Sequence, residues 1–146
     1  MTNIDKLTTV YVGLIRRLMA IFYDLMLLIA LLFIATAIAN ALNHGKPVEP
    51  GNPYYPLFVL YLLAISFFYY GWCWTHGGQT LGMQTWKMKL VSNNHQKISW
   101  QQAFIRSVAA PVSWGCLGLG FIWSLFNSKK LTWHDMLSHS ELIDLR

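Results

Sequence analysis

The stretch "RRLMAIFYDLMLLIALLFIATA", residues 16–37, decides the fold class because it places one acidic residue inside a long apolar run. Residues 18–42 contain a single charged side chain, that of Asp24. A run of this length crosses a hydrocarbon core of about 30 Å as a helix. We therefore predict a first transmembrane helix at residues 18–42. A cleaved signal peptide would have a shorter apolar region without an acidic residue.

The overall composition also favours a lipid environment. The chain has 146 residues, of which 55% are hydrophobic and only 12% are charged, and this balance is too apolar for an ordinary soluble domain. The net charge of +5 comes from 11 basic and 6 acidic residues. Basic residues near membrane spans bind anionic lipid headgroups, so we expect the bilayer itself to be a partner. A nucleic-acid partner is not expected, because that function requires a soluble basic face with exposed reader side chains.

A second apolar segment follows a loop rich in proline. Residues 43–56 hold four of the five prolines, and proline ends helices and removes backbone donors. The next stretch, "LFVLYLLAISFFYYGWCWT" at residues 57–75, has no charge and ends in aromatic side chains suited to a membrane interface. We predict an irregular loop followed by a second transmembrane helix.

A third hydrophobic segment, residues 103–126, is interrupted by Pro111 and by three glycines. It forms either a full third span or a re-entrant hairpin of two short helices, whose free backbone groups other protein must cover. A full span would place Lys129 and Lys130 on the outer side, against the usual bias of positive charge. The charge pattern therefore favours the hairpin.

The segment between the second and third hydrophobic stretches has a different pattern. In "TWKMKLV", residues 85–91, apolar side chains alternate with Lys87 and Lys89, as in a strand with one wet face. Ser99 followed by Gln102 is a capping box that begins a helix. The predicted fold class is thus an all-α integral membrane protein in one domain, residues 1–146. It has two transmembrane helices, a third proline- and glycine-broken segment and a short cytoplasmic β-like or amphipathic insert.

The distribution of basic residues predicts the orientation. One basic residue, Lys46, lies in the loop between the first two spans, whereas seven basic residues precede the first span or follow the second, up to Arg106. Those before the first span and after the second are Lys6, Arg16, Arg17, Lys87, Lys89, Lys97 and Arg106. Because positive residues mark the cytoplasmic side, we predict a multi-pass protein of the plasma or inner membrane with a cytoplasmic N-terminus.

Four motifs occur in one order along nearly the whole chain: "RRLMAIFYD", "GGQTLGM", "AFIR" and "LTWHDML". In this order they resemble the RDD family of small membrane proteins, which is named for one arginine and two aspartates. The resemblance carries these onto Arg17, Asp24 and Asp135, and it implies a membrane location and a transport role. The chain departs from the family near its end, where "SHSELIDL" replaces a Gly-Thr pair before an apolar strand. A closing strand is therefore less strongly predicted.

These residues and Arg106 form the predicted functional charge cluster. Asp24 follows Arg17 by seven residues, roughly 10 Å along a helix and on the same face. Helical side chains lean toward the N-terminus, so Arg17 should point away from Asp24. We predict that Arg106, at a comparable depth, pairs with Asp24, and that Arg17 meets Asp135 at the membrane surface.

Structural roles are the alternative explanation of these residues. Arg17 fits a snorkelling interfacial anchor. Asp135 follows Thr132 by three residues and fits a capping box. Asp24 is different, because an aspartate inside a transmembrane segment costs on the order of 3 kcal/mol and is by default a functional candidate. It remains open between a structural ion pair and a titrating or ion-binding site.

Enzymatic activity, a metal and a cofactor are not predicted. The motif "GGQTLGM" lacks the lysine and spacing of a phosphate loop. No pair of histidines has the spacing of a metal site; the five are His44, His76, His95, His134 and His139. The sequence predicts neither a catalytic nucleophile nor its base.

Two functions from different classes remain. In the first, the protein is a small transporter or ion-exchange subunit whose Asp24 binds a proton or a monovalent cation. Three hydrophobic segments enclose little volume. This function therefore requires a homo-oligomer or a larger membrane partner. In the second, the protein is a non-transporting accessory or assembly protein whose charge pairs are structural.

Overall fold

The computed structural model of the protein describes residues 11–146, so the N-terminal end and Lys6 lie outside the described residues. The first long helix, α1, is Leu14–Leu42. Its 29 residues contain neither glycine nor proline and extend about 44 Å. It begins after Gly13 and is capped at Asn43, shortly before Gly45 adopts a positive φ.

The second long helix, α2, is Tyr55–His76. Pro56 lies in its first turn, where the missing N–H is not needed. It ends at Gly77, and Gly78 follows with φ +69°, a conformation that glycine adopts without strain. Both α1 and α2 are long and apolar enough to cross a membrane. Only 17% and 11% of the residues in their most apolar windows are buried, so most of their apolar side chains face outward.

The third hydrophobic segment consists of two helices that meet at 95°. Helix α4 is Trp100–Gly115 and helix α5 is Leu119–Phe126. The predicted capping box of Ser99 and Gln102 is confirmed at the start of α4. The break falls where Leu117 and Gly118 both have positive φ. Within residues 11–146, two helices are long and apolar enough to span a membrane, and the bent pair would add a third span if it forms one.

Four short elements lie at the end of the molecule where α1 begins and α2 ends. They are α3 (Leu81–Thr85), β1 (Met88–Ser92), α6 (Trp133–Leu137) and β2 (Ser140–Asp144). Strand β1 pairs with β2 antiparallel, with Leu90 opposite Leu142. The predicted alternation is present, since Met88 and Leu90 are buried and Lys89 is less so. A closing strand therefore forms even without the Gly-Thr pair.

The hydrophobic core lies at this same end. Arg16 fixes the start of α1 to the sheet by binding the Asp144 carboxylate and the Trp86 carbonyl. The buried core side chains come from the helices, from both strands and from the segments just before α1 and α4: Val12, Ala20, Trp74, Met83, Met88, Leu90, Ile98, Ala103 and Leu142. Away from this core, apolar side chains such as Phe33 and Ile34 are largely exposed. The four short elements and the core thus form a packed base, and the apolar helices α1 and α2 extend from it.

Candidate functional site

The carboxylate of Asp135 lies between two arginines from different helices. Arg17, one turn into α1, donates from Nη1 to Oδ2, and Arg106, midway along α4, donates from Nη1 to Oδ1. The predicted pair of Arg17 and Asp135 is therefore present, but Asp135 also binds Arg106. One carboxylate thus joins α1, α4 and α6.

Arg17, Arg106 and Asp135 form a triad, and each of them makes further hydrogen bonds. The backbone N–H of Thr132 donates to Asp135 Oδ2 at 3.1 Å, as the predicted capping box requires. Arg17 also donates to the carbonyl oxygen of Lys130 at 3.1 Å, and Arg106 to the hydroxyl of Ser140 at 3.2 Å. Capping and ion pairing, which the sequence analysis treated as alternatives for Asp135, therefore occur together.

The triad is buried rather than at an exposed membrane surface. Asp135 is fully buried, and the two arginines are each 3% exposed. Burial alone would raise the pKa of the Asp135 carboxyl, but the Arg17 and Arg106 guanidiniums outweigh it and hold the pKa well below its usual range. Asp135 is therefore ionised at any physiological pH.

His134 lies beside the triad and stays neutral. Its burial, together with the positive charge of Arg106, lowers the pKa of the imidazole to about 3. A ring nitrogen lies within hydrogen-bonding distance of the Thr132 hydroxyl, at 3.0 Å. The triad and His134 together consequently hold two positive charges and one negative charge.

Asp24 is not bound to Arg106, so that predicted pair is wrong. Arg106 is turned to Asp135 instead, and Asp24 is surrounded by neutral donors. The hydroxyl of Thr80 donates to Oδ2, whereas the backbone N–H of Gly82 and the hydroxyl of Tyr69 donate to Oδ1 at 2.9 and 3.2 Å. Asp24 is 3% exposed, and no basic side chain among residues 11–146 forms a salt bridge with it.

The close approach of α3 to α1 explains one glycine of the "GGQTLGM" motif. A Cβ atom at Gly82 would lie 2.9 Å from the Asp24 carboxyl carbon and would also collide with the Ala20 carbonyl oxygen. Thr80 caps α3 and donates to Asp24 at the same time. Thr80, Gly82 and Tyr69 were not predicted as partners of Asp24. The Thr-x-Gly spacing at a helix start was the available signal.

A cavity of about 480 Å³ lies between α1, α2 and α4 and reaches both charge sites. Arg17 and Arg106 line it, and so does Asp24. The rest of its wall is mainly aromatic and aliphatic, including Phe67, Tyr70, Trp74, Trp114, Phe121 and Leu142. The predicted charge cluster is therefore divided into two groups. Arg17, Arg106 and Asp135 form the first, and Asp24 forms the second with its neutral donors. Both arginines and Asp24 border one cavity.

A second cavity, of about 560 Å³, lies at the opposite end of α1 and α2 near the proline-rich loop. Its lining residues include His44 and Tyr54 but no aspartate, glutamate, lysine or arginine. Although it is slightly larger, it lacks the carboxylate and guanidinium groups that border the first cavity. Among the described residues no group of three metal-ligating side chains is present either.

Comparison with known protein families identifies the family of this chain. The model of the RDD family matches residues 11–139, a range that includes both charge sites. No curated protein and no solved structure matches the chain.

Proposed function

This chain belongs to the RDD family of membrane proteins, and from that premise we propose that it is a small transporter or ion-exchange subunit in which Asp24 binds and releases a proton or a monovalent cation. The observation that supports this proposal is the set of partners around Asp24. All three of its donors are neutral, because Arg106 is engaged by Asp135. Protonating Asp24 would therefore strand no buried counter-ion.

The surroundings of Asp24 also supply oxygen atoms for a cation. The hydroxyls of Thr80 and Tyr69 lie beside the carboxylate, and hard cations prefer carboxylate and hydroxyl oxygens. The adjacent cavity gives water or an ion access to the carboxylate. We assign Asp24 the binding role, and Thr80 and Tyr69 the positioning of its oxygens. Since the bundle is small, we expect a homo-oligomer or a larger membrane partner to complete the pathway.

The proposal is tested by flux in vesicles. The purified protein is reconstituted, and proton efflux is measured on addition of Na⁺ or K⁺. Asp24→Asn keeps the size and most hydrogen bonds of the side chain, so this variant should fold and lose flux. Glu49→Gln, which changes an exposed carboxylate in the proline-rich loop, should retain it. A folded Asp24→Asn variant with wild-type flux would contradict the proposal.

An accessory or assembly role has its own support. The three hydrogen bonds to Asp24 attach α2 and α3 to α1, which is the task of a structural clasp. The exposed apolar helices could bind a membrane partner. This alternative predicts that wild-type vesicles show no flux above empty vesicles and that Asp24→Asn is degraded in cells.

For the orientation, we propose a multi-pass protein of the plasma or inner membrane with its N-terminus in the cytoplasm. The re-entrant arrangement of α4 and α5 is supported by two contacts at one end of the molecule. Gln102, at the start of α4, donates to the Ser138 carbonyl, while the backbone carbonyl of Lys130, after α5, accepts from Arg17 at the start of α1. Both ends of the third segment therefore lie on the side where α1 begins.

The topology predicts that a cysteine in place of Asn52 reacts with a membrane-impermeant reagent added to intact cells. A cysteine in place of Asn94, in the turn after β1, should react only after the membrane is permeabilised. Labelling of both positions from the same side would refute the arrangement.

A further inference from the structure

We propose that the cavity between α1, α2 and α4 binds an acidic amphiphile, a molecule with one carboxylate or phosphate head on a hydrocarbon chain. The head would contact Arg17, Arg106 and Trp74, and the chain would lie along the apolar wall. This site goes beyond the proposed cation or proton exchange, which depends on Asp24.

Unused donors at the cavity are the first argument. Within residues 11–146, the Nε atoms of Arg17 and Arg106 and the indole Nε1 of Trp74 are buried without a hydrogen-bond partner. All three side chains line the cavity, and each is at least nine-tenths buried. A buried donor without a partner costs about 1–3 kcal/mol, and more when it is charged. A ligand whose acceptor oxygens reach these atoms, after a small rotation of the side chains that bury them, would remove this cost.

The charge balance is the second argument. Two guanidiniums face one carboxylate, that of Asp135, and the neighbouring imidazole of His134 is neutral. Neither arginine forms a salt bridge with Asp24, so among residues 11–146 the two guanidiniums share one directly bound carboxylate, and one positive charge has no anion of its own in contact. The planar guanidinium fork matches carboxylate and phosphate oxygens. The head of the ligand is thus an anion rather than a neutral polar group.

The geometry of Arg106 and Trp74 fits this assignment. The guanidinium of Arg106 lies over the ring of Trp74, with its carbon 5.2 Å from the ring centroid. This stacking holds the guanidinium beside the indole, so that both side chains can donate to one head. A lysine at this position would keep the charge but lose the planar fork and the stacking.

The apolar lining of the cavity indicates that the ligand also has a hydrocarbon chain. Most of the cavity is lined by aromatic and aliphatic side chains, and a free inorganic anion would leave them in contact with water. The volume of about 480 Å³ lies within the usual range of roughly 300–1,000 Å³ for small-molecule sites. Pro111 and Trp114 of α4 line the cavity and are also exposed, which gives a chain a route of entry.

The test uses the full-length protein in phosphatidylcholine nanodiscs and the quenching of its tryptophan fluorescence. The probes are 9,10-dibromostearic acid and its methyl ester, which differ only in the charge of the head. We expect saturable quenching by the acid with at least tenfold higher affinity than by the ester. Equal affinities would overturn the proposal, because the cavity would then be merely apolar.

Two variants and one control locate the head. Trp74→Phe removes the indole donor but keeps an aromatic ring, and Arg106→Lys keeps the charge but not the fork. Both should weaken acid binding several-fold and leave ester binding unchanged. Trp123→Phe, a change on α5 away from the cavity lining, should alter neither affinity. Wild-type acid binding by a folded Trp74→Phe variant would refute the assignment of the head.

Two competition experiments identify the class of anion. A third measurement, on an Asp24 variant, distinguishes this site from the proposed exchange site. Displacement of the acid by millimolar inorganic phosphate would overturn the requirement for a hydrocarbon chain. A brominated phosphatidic acid that outcompetes the fatty acid would support the amphiphile and assign its source to the bilayer. Asp24→Asn should bind the acid at least as tightly as wild type while losing flux, so the two proposals fail independently.

Discussion

Because the Asp135 carboxylate binds both Arg17 and Arg106, the structure makes a specific prediction for Asp135→Asn. Asparagine has nearly the same shape as aspartate and keeps a carbonyl oxygen, so the packing of α6 should change little. The charge is lost, however, and its amide nitrogen cannot accept a hydrogen bond from the arginine that bound the second oxygen. Arg17 and Arg106, each 3% exposed, would then lie buried side by side without an anion.

The expected magnitude follows from that burial. Removing one partner of a buried ion pair costs about 3–5 kcal/mol, because the remaining charge is left uncompensated. Here two guanidiniums lose their shared partner, so we expect the upper part of that range. Each kcal/mol shifts the unfolding midpoint of a chain of this size by about 2–4 °C. The thermal midpoint of the purified variant should therefore fall by roughly 10 °C or more.

The measurement is thermal unfolding in detergent, followed by the loss of monodisperse protein in size-exclusion chromatography. The matched control is Arg146→Gln, which removes an exposed partner of Asp144 and should leave the midpoint unchanged. An Asp135→Asn midpoint within 2 °C of wild type would refute the buried triad, since a fall of less than about 1 kcal/mol is typical of an exposed pair.

Two further predictions concern the same region. The double variant Arg17→Asp with Asp135→Arg should not recover wild-type stability, because Arg106 would then face a guanidinium; full recovery of the thermal midpoint would mean that the original pair acts alone. His134→Gln should weaken the pH dependence of stability. Because the pKa of His134 is about 3 in the folded protein and about 6.5 when unfolded, its contribution is complete above pH 6.5 and is lost as the pH falls toward 3. Between pH 7 and 5.5 the wild type should lose about 1 kcal/mol that the variant keeps, and parallel denaturation curves would contradict this.

Local patterns in the sequence predicted most of the elements. The apolar runs predicted α1 and α2 to within four residues at each end, and the period of two in "TWKMKLV" predicted a strand where β1 lies. The capping boxes at Ser99 and Thr132 are also present. These features depend on continuous runs or short spacings of residues, and such patterns can be read from the chain directly.

The partners of the charged residues were predicted only in part. The pair of Arg17 and Asp135 was expected, whereas Arg106 was assigned to Asp24 because of its depth. Depth alone does not determine the rotation of α4 about its axis, and that rotation turns Arg106 toward Asp135. The contact between α1 and the segment after α2 was not predicted. The residues around Thr80 and Gly82 have no apolar period from which such a contact can be predicted.

The sequence by itself therefore determined the apolar spans, the break in the third segment and the presence of a buried aspartate that needs compensation. Each of these follows from hydropathy or backbone chemistry within a short window. Only the tertiary structure decided that Asp135 serves both arginines and that Asp24 binds neutral donors. The physical reason is that these contacts join residues more than 25 positions apart, and a shift of a few ångströms between packed helices exchanges one partner for another.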